Sequence, residues 1–341
     1  FVAPVANVHN AVERALDDVA PDVAKCYRDY RNYKQDFVHM LDDVYRKSQA
    51  IRYIGDRNNA NTDSALVPTQ RSLIYNELSS ALYKKFFLNR EEREAMKDGY
   101  IYIHDRSARL DTMNCCLFDM ENVLTGGFEM GNVWYNEPKT LDVAFDVISD
   151  VAISAAACQY GGFTIPEVDK ILAPYAEKSY QKYFEEYTEI AVYNNLGDYE
   201  DVLTAADEYA VKKVQRDMEQ GFQSWEYRFN TVGSSRGDYP FIAVSFGLDN
   251  SRFGRMASMT CMNVRAGGQG AAGHKKPVLF PKLTFLYDEE LHGEGKPMED
   301  VFECGVDCST KAMYPDFLSL TGEGYIPSMY KKYGRVVSLM G

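Results

Sequence analysis

Several features that mark particular classes of protein are scarce or missing in this sequence. No apolar run is long enough to span a bilayer, and no signal-peptide pattern stands at the start. Lysine and arginine (37 residues) are outnumbered by aspartate and glutamate (50), which gives a net charge of −13. This balance argues against a protein that coats nucleic acid, whose phosphates need a positive surface. It does not exclude nucleotides, which backbone amides and a few basic side chains can hold.

Cysteine and histidine are also few. The seven cysteines are odd in number and mostly scattered, and no Cys-x-x-Cys pair occurs. The sequence therefore supports neither a disulfide scaffold nor a zinc ribbon, and a reducing cytosol fits it best. The five histidines lie far apart in the sequence, which does not favour a metal cluster. We expect no metal site among these residues.

What is present is an alternation of helical and strand patterns. With 341 residues, 45% of them hydrophobic, the chain can bury a large core. Apolar residues at helical spacing predict helices at 7–54 (broken at Pro21), 68–88, 139–158, 166–225 (broken near "NNLGD") and 298–312. Alternating or continuous apolar runs predict strands at 100–105, in "NCCLF", within 234–249, within 278–290 and at 334–340. Strands separated by helices indicate a largely parallel sheet or barrel with helices outside.

Two adjacent thiols, Cys115 and Cys116, stand in the second of these strands. Free cysteine usually behaves as a small buried hydrophobe, so packing is the simpler interpretation. Successive side chains of a strand point to opposite faces, however, so one thiol can face a barrel interior while the other packs. The pair on its own leaves both interpretations open.

Three further stretches carry polar chemistry without deciding it. His104 and Asp105 form either an oriented acid–base pair or a structural one. The stretch "NTVGSSRGDYPF" (230–241) either binds hydroxyl and carboxylate groups or satisfies its own hydrogen bonds as a turn. The glycine-rich stretch "RAGGQGAAG" (265–273) either cradles phosphate or forms a surface loop, and it matches neither the Walker nor the Rossmann pattern.

Taken together and in order, several segments resemble one family. They are "IYIHD", "NCCLFDMENVLTGGFEMGN", "QYGGFTIPEVDKILAPY", "NTVGSSRGDYPF", "HKKPVLFPKLTFLYDEELHGEGKP" and "DCSTKAMYPDFLSLTGEGY". From about Asn58 to Gly341 the chain resembles the anaerobic (class III) ribonucleoside-triphosphate reductases, which are glycyl-radical enzymes. Residues 1–33 resemble the closing helix of a truncated ATP-cone, so we expect domains at 1–33 and 34–341.

The resemblance implies an α/β fold in which two half-sheets of five parallel strands form a ten-stranded barrel. Residues 34–341 would be its first half, preceded by helices, and the final "SLMG" would stand just before the finger loop and its radical cysteine. The radical glycine and the zinc-binding cysteines would lie in the missing C-terminal part. The resemblance therefore implies that this fragment alone is inactive.

The resemblance also implies roles for particular residues. Cys115 would face the barrel interior and donate hydrogen to the substrate ribose, whereas Cys116 would face outward and pack. His104 would have a polar, proton-handling role near the substrate. An effector nucleotide would bind at a dimer interface containing helix 139–158, with Gln159 as a contact. The expected substrate contacts are Asn114, Asn230, Ser234, Ser235 and Arg236.

The implied activity is the anaerobic reduction of ribonucleoside triphosphates to their 2′-deoxy forms, with formate as reductant. Its implied regulators are ATP and deoxynucleotide effectors with Mg²⁺. Its implied partners are an iron–sulfur activase that uses S-adenosylmethionine and a second copy of the chain in a homodimer or larger oligomer, all in the cytoplasm. Two alternatives stay open: a non-catalytic nucleotide-binding dimerisation module and a glycyl-radical lyase. A continuation as Met-Gly-Cys-Arg after Leu339 would favour the reductase over the lyase.

Overall fold

The computed structural model describes residues 3–54, 63, 65–109, 113–231 and 237–334. The chain divides into two compact units, Phe1–Asp111 and Thr112–Gly341. Residue 33, after which a domain boundary is expected, lies within a continuous helix, Pro21–Ile54. No described helix is both long and apolar enough to cross a membrane.

The first unit is helical. Its helices are α1 (Val5–Val19), α2 (Pro21–Ile54), α3 (Val67–Phe86) and α4 (Arg90–Lys97), followed by a 3-10 turn at Arg106–Ala108. The predicted break at Pro21 is confirmed, since its ring cannot continue the preceding helix. A capping box between Asn89 and Glu92 begins α4, where Asn89 Oδ1 accepts the Glu92 N–H and Glu92 Oε2 accepts the Asn89 N–H.

The strand predicted at 100–105 is wrong. Residues 101–103 are irregular, and a turn follows in which Asp105 has φ 52°. Tyr100 and Tyr102 are 84% and 80% exposed. Alternation alone does not make a strand, because the pattern needs a neighbouring strand and a buried face to pack against.

The second unit is a parallel sheet with helices. Its strands are β1 (Cys116–Leu117), β2 (Phe128–Met130), β3 (Val133–Tyr135), β4 (Phe163–Ile165), β5 (Ile242–Phe246), β6 (Lys282–Tyr287) and β7 (Asp316–Ser319). Its helices are α5 (Met120–Leu124), α6 (Leu141–Ala157), α7 (Val168–Tyr193), α8 (Tyr199–Phe229), α9 (Arg252–Gly267), α10 (Glu289–His292), α11 (Glu299–Ala312) and α12 (Tyr325–Tyr333).

The main sheet has five parallel strands in the order β1-β4-β5-β6-β7, and β2 pairs with β3 as a separate antiparallel hairpin. This is the α/β class and the number of parallel strands expected for one half of the barrel. The break between α7 and α8 falls at "NNLGD", as predicted. The sequence patterns gave no signal for β4, β7, α9 or the hairpin, and the strand predicted at 334–340 falls almost wholly outside the described residues.

The two faces of the sheet differ in their surroundings. One face carries seven residues that belong to the main hydrophobic core with the helices: Phe163, Ile165, Ile242, Val244, Phe246, Leu283 and Phe285. Neighbouring positions along the same strands, such as Thr164, Ser245 and Thr284, point to the opposite face. The chemistry of that second face is therefore set by small and polar side chains.

Candidate active site around Cys115

The two adjacent thiols stand where β1 meets the segment that leads into β4. Backbone bonds join Tyr160 N–H to Met113 O at 2.8 Å, and Gly161 N–H to Asn114 O at 2.5 Å. The Cys116 N–H then donates to Gly162 O at 3.0 Å. This pairing lays the cysteines alongside the two glycines, although they are more than 40 positions apart in the sequence.

Cys116 faces the helices. Its side chain packs against the main core, and its register partner Phe163 belongs to that core. The Sγ donates to Gln159 Oε1 at 3.0 Å. Burial, with a smaller effect of the neighbouring Cys115, raises the pKa of the Cys116 thiol. A thiol held protonated in this way is suited to packing and not to nucleophilic chemistry.

Cys115 precedes Cys116 by one position, so strand alternation turns it toward the other face. It is half-buried, and its Sγ accepts the N–H of Gly162 at 3.3 Å. The same sulfur lies 3.8 Å from the Oδ1 of Asn114, whose side chain is exposed. Cys115 and Asn114 therefore lie side by side at this edge of the sheet.

Gly161 makes this close pairing possible. A Cβ at this position would lie 2.5 Å from Cys115 Sγ, 2.6 Å from Asn114 Oδ1 and 2.8 Å from Asn114 O. All three separations are too short for real atoms, so any side chain would push β1 away from the segment beside it. The glycine is thus required by contact with the candidate catalytic thiol.

Gln159 lies beneath the pair. It is only 3% exposed, and its Nε2 donates to Gly161 O at 3.1 Å while its Oε1 accepts from Cys116. Both the oxygen and the nitrogen of its side-chain amide are hydrogen-bonded within the chain, and the side chain is buried. This placement gives no support to the expected contact with an effector nucleotide. Gln159 belongs with the thiols.

Comparison with known proteins supports the family resemblance found in the sequence. The family model described as anaerobic ribonucleoside-triphosphate reductase matches residues 58–341. The chain belongs to that family. The anaerobic ribonucleoside-triphosphate reductase of Haemophilus influenzae is 31% identical over 322 residues, covering 91% of this chain and 44% of the relative. That of Enterobacteria phage T4 is 33% identical over 267 residues, covering 76% and 41%.

Among solved structures, the anaerobic ribonucleotide reductase of Thermotoga maritima in complex with dATP and CTP is similar with a TM-score of 0.49 at 12% identity. The match covers 85% of this chain and 49% of that one. The chain thus spans less than half the length of the curated reductases it matches.

Asn230 is expected to contact the substrate, but the donors and acceptors of its side-chain amide are already bonded to backbone groups. It ends α8, and its Nδ2 donates to Glu226 O at 2.7 Å and to Phe280 O at 2.6 Å. Its Oδ1 accepts the N–H groups of Leu279 and Phe280 at 3.2 and 3.0 Å. These four bonds use the full capacity of the amide. Asn230 is a structural clamp between α8 and the approach to β6.

His104 and three predicted substrate contacts remain. His104 belongs to the first unit; its side chain is 75% exposed, and its Nδ1 lies 2.6 Å from Asp105 Oδ2. The predicted substrate contacts Ser234, Ser235 and Arg236 lie outside the described residues. Among the residues that the structure describes, no group of three or more metal-ligating side chains is arranged to hold a metal ion.

The first residues of the glycine-rich stretch (265–273) belong to a buried ionic network that was not predicted from the sequence. Arg265 Nε donates to Glu226 Oε1 at 2.6 Å, and Gln269 Nε2 donates to Glu226 Oε2 at 2.6 Å. Arg265 Nη2 also donates to Pro281 O at 2.6 Å. The stretch therefore begins as the last turn of α9, and its charged residue ties α9 to α8 and β6. In the sequence, the one feature that hinted at this network is the charged Arg265 beside the glycines.

Proposed function

We propose that the complete protein containing this chain reduces ribonucleoside triphosphates to 2′-deoxyribonucleoside triphosphates under anaerobic conditions, and that Cys115 donates hydrogen to the substrate. The observation that carries this proposal is the family match across residues 58–341, which includes both thiols. Since the chain spans less than half of its curated relatives, the activity is proposed for the whole protein and not for this part alone.

A glycyl radical in the remainder of the protein would supply the unpaired electron that begins the reaction. In this chain, Cys115 would give the hydrogen atom of its S–H bond to the ribose, where a C–H bond forms, while the 2′ hydroxyl takes up a solvent proton and leaves as water. The hydrogen and electrons of formate would then restore the Cys115 thiol. Formate, oxidised to carbon dioxide, balances the reduction. The zinc expected of the family is likewise assigned to the remainder of the protein.

The contrast between the two thiols supports the choice of Cys115. Cys116 gives its S–H to Gln159 and packs against the core. The Cys115 sulfur instead accepts a backbone N–H, and its own hydrogen faces no closer acceptor among the described residues than Asn114 Oδ1, at a weak 3.8 Å. A hydrogen donor needs a sulfur that is fixed in place while its hydrogen stays free.

We further propose Asn114, beside the thiol, as a substrate contact, together with Ser234, Ser235 and Arg236. His104, oriented by Asp105, is proposed to handle a proton near the substrate. Asn230 is not included, because its amide is fully used by backbone groups.

Effector nucleotides with Mg²⁺, an iron–sulfur activase that uses S-adenosylmethionine, a dimeric assembly and a cytoplasmic location complete the proposal. Helix α6 gives the dimer little specific support. Its alanines Ala144, Ala152 and Ala156 are buried in the chain's own core, and its exposed face carries Asp142, Asp146 and Asp150. Residues that contact the effector are therefore not assigned.

The test compares the two thiols in the complete protein. Activated anaerobically and supplied with formate and a ribonucleoside triphosphate, Cys115→Ala should form no deoxynucleotide while still binding substrate. The matched variant Cys116→Ser, which keeps a hydroxyl donor for Gln159 Oε1, should keep turnover and lose only about 1 kcal/mol of stability. Turnover by Cys115→Ala would overturn the proposed role.

A further inference from the structure

One peptide group connects the Gln159 side chain to the Cys115 sulfur. The carbonyl of Gly161 and the N–H of Gly162 belong to the same planar unit. The carbonyl accepts from Gln159 Nε2 at 3.1 Å, and the N–H donates to Cys115 Sγ at 3.3 Å. In a trans peptide these groups point in opposite directions, so Gln159 and Cys115 hold the plane from its two sides.

This peptide lies between two glycines, the residue type with the widest freedom in φ and ψ. Without a partner for the Gly161 carbonyl, the plane can turn over at small steric cost. A turned plane would present a carbonyl oxygen to Cys115 in place of an N–H. The sulfur would then become the donor, and its hydrogen would point into the protein and away from a substrate.

The Gln159 amide is itself held in one orientation. Its Oε1 accepts the Cys116 S–H, and its Nε2 faces the Gly161 carbonyl. The reversed amide would set Oε1 against that carbonyl oxygen, which offers no hydrogen. Burial to 3% exposure keeps water from replacing either bond.

We propose that Gln159 is a positioning residue for Cys115, acting through the Gly161–Gly162 peptide to keep an N–H on the sulfur and the thiol hydrogen free. The inference rests on the proposed function, which makes Cys115 the hydrogen donor. Cys116 has a supporting part, because it fixes the orientation of the Gln159 amide.

The rate at which iodoacetamide alkylates Cys115 tests this without turnover. In a Cys116→Ser background of the complete protein, where the serine hydroxyl still provides a donor for Gln159 Oε1, Cys115 is the sole thiol between Arg109 and Lys139, so mass spectrometry assigns its modification directly. Adding Gln159→Met removes the donor to Gly161 without adding charge. Alkylation proceeds through the thiolate, which an N–H donor stabilises.

We expect Gln159→Met to move the midpoint of the rate–pH profile upward and to slow alkylation at pH 7.5 by about three- to tenfold. Gln159→Asn, whose amide is one methylene too short to reach Gly161, should behave in the same way. An unchanged midpoint overturns the inference. This holds even if labelling becomes faster at every pH, because a looser structure around Cys115 would expose the thiol without moving the midpoint.

Buried Cys261 reports on folding in the same samples. If both variants expose Cys261 to alkylation, Gln159 is purely structural and the positioning role is rejected. In the active enzyme, Gln159→Met should lower kcat and leave the substrate KM unchanged. If Cys115→Ala still turned over while the midpoint shifted, the proposed function would fail and the positioning relationship would stand.

Discussion

Gly221 of α8 lies directly against the ring of Phe145 on α6, with no room between them for a side-chain methyl group. Around this contact, Trp225 Nε1 donates to Phe145 O at 2.9 Å. The Phe145 ring meets those of Phe222 and Trp225 edge to face, with centroids 5.0 and 4.9 Å apart. The approach of the two helices therefore depends on the absence of a side chain at residue 221.

Gly221→Ala should destabilise the protein by about 1–3 kcal/mol, because the added methyl group overlaps a ring that is itself enclosed by two others. The midpoint of urea unfolding measures this. Gly267→Ala is the matched control, since Gly267 is also helical but faces open space. It should be neutral or stabilising by about 0.5 kcal/mol. Equal effects of the two variants would contradict the packing argument.

Long amphipathic helices could be predicted from the sequence because their apolar spacing repeats many times. Helix α6 at 141–157 and the break between α7 and α8 are examples. Strand β4 could not, because it has three residues, all buried, and a buried parallel strand shows no alternation. Helix α9 was missed because it runs into the glycine-rich stretch and ends at Gly267, and such glycines are typical of a loop.

At the candidate site, alternation along one strand was enough to predict that Cys115 and Cys116 point in opposite directions. The position of Gln159 was not predictable, because its contact with Cys116 spans 43 positions and depends on the register of β1 against β4. The backbone bonds of Asn230 were not predictable for the same reason, because its partners Leu279 and Phe280 are about 50 residues away.

The buried imidazole of His292 makes stability depend on pH. Its Nε2 lies 2.7 Å from Gly247 O, and its Nδ1 lies 3.0 Å from both the backbone nitrogen and the backbone oxygen of Asp288, so backbone groups hold the ring in a buried position. Burial lowers the pKa of His292 from its ordinary value of 6.5. The unfolded chain therefore binds a proton first as the pH falls, and stability is lost below about pH 6.5.

His292→Gln should lower stability at pH 7.5 by about 1–3 kcal/mol and reduce the loss of stability between pH 7.5 and 5.5. Unfolding free energies at several pH values measure both effects. His274→Gln, at an exposed histidine, is the control and should leave the slope as it is. If the unfolding free energy of His292→Gln fell with pH as steeply as that of the unchanged protein, a group other than His292 would be responsible for the pH dependence.

The Arg265–Glu226 pair is buried on both sides, with side chains 0% and 4% exposed. Glu226→Leu should destabilise the protein by about 3–5 kcal/mol, because it leaves the Arg265 charge in the core without its carboxylate. Arg265→Met combined with Glu226→Leu should recover much of this loss. A double-mutant cycle of unfolding free energies measures the coupling.

The exposed pair Arg90–Glu94 is the control for that cycle, and Glu94→Gln should change stability by less than about 0.5 kcal/mol. If the double variant at 226 and 265 were no more stable than Glu226→Leu alone, the loss would come from packing and not from the unpaired charge.

Asn230 separates a structural role from a substrate role. Asn230→Ala removes four hydrogen bonds to backbone groups of α8 and of the residues before β6, so it should cost about 2–3 kcal/mol of stability. Asn230→Asp keeps the acceptor for Leu279 and Phe280 but sets a carboxylate against two carbonyl oxygens, and it should be no better tolerated than alanine.

Thermal unfolding and substrate binding, measured on the same samples of the Asn230 variants, check this. For the nearby Thr231→Ala, whose hydroxyl bonds only to Tyr227 O on the surface, little change in stability is expected. If Asn230→Ala melted like the unchanged protein and lost only affinity for a ribonucleoside triphosphate, the clamp would be the wrong explanation and Asn230 would return to the substrate site.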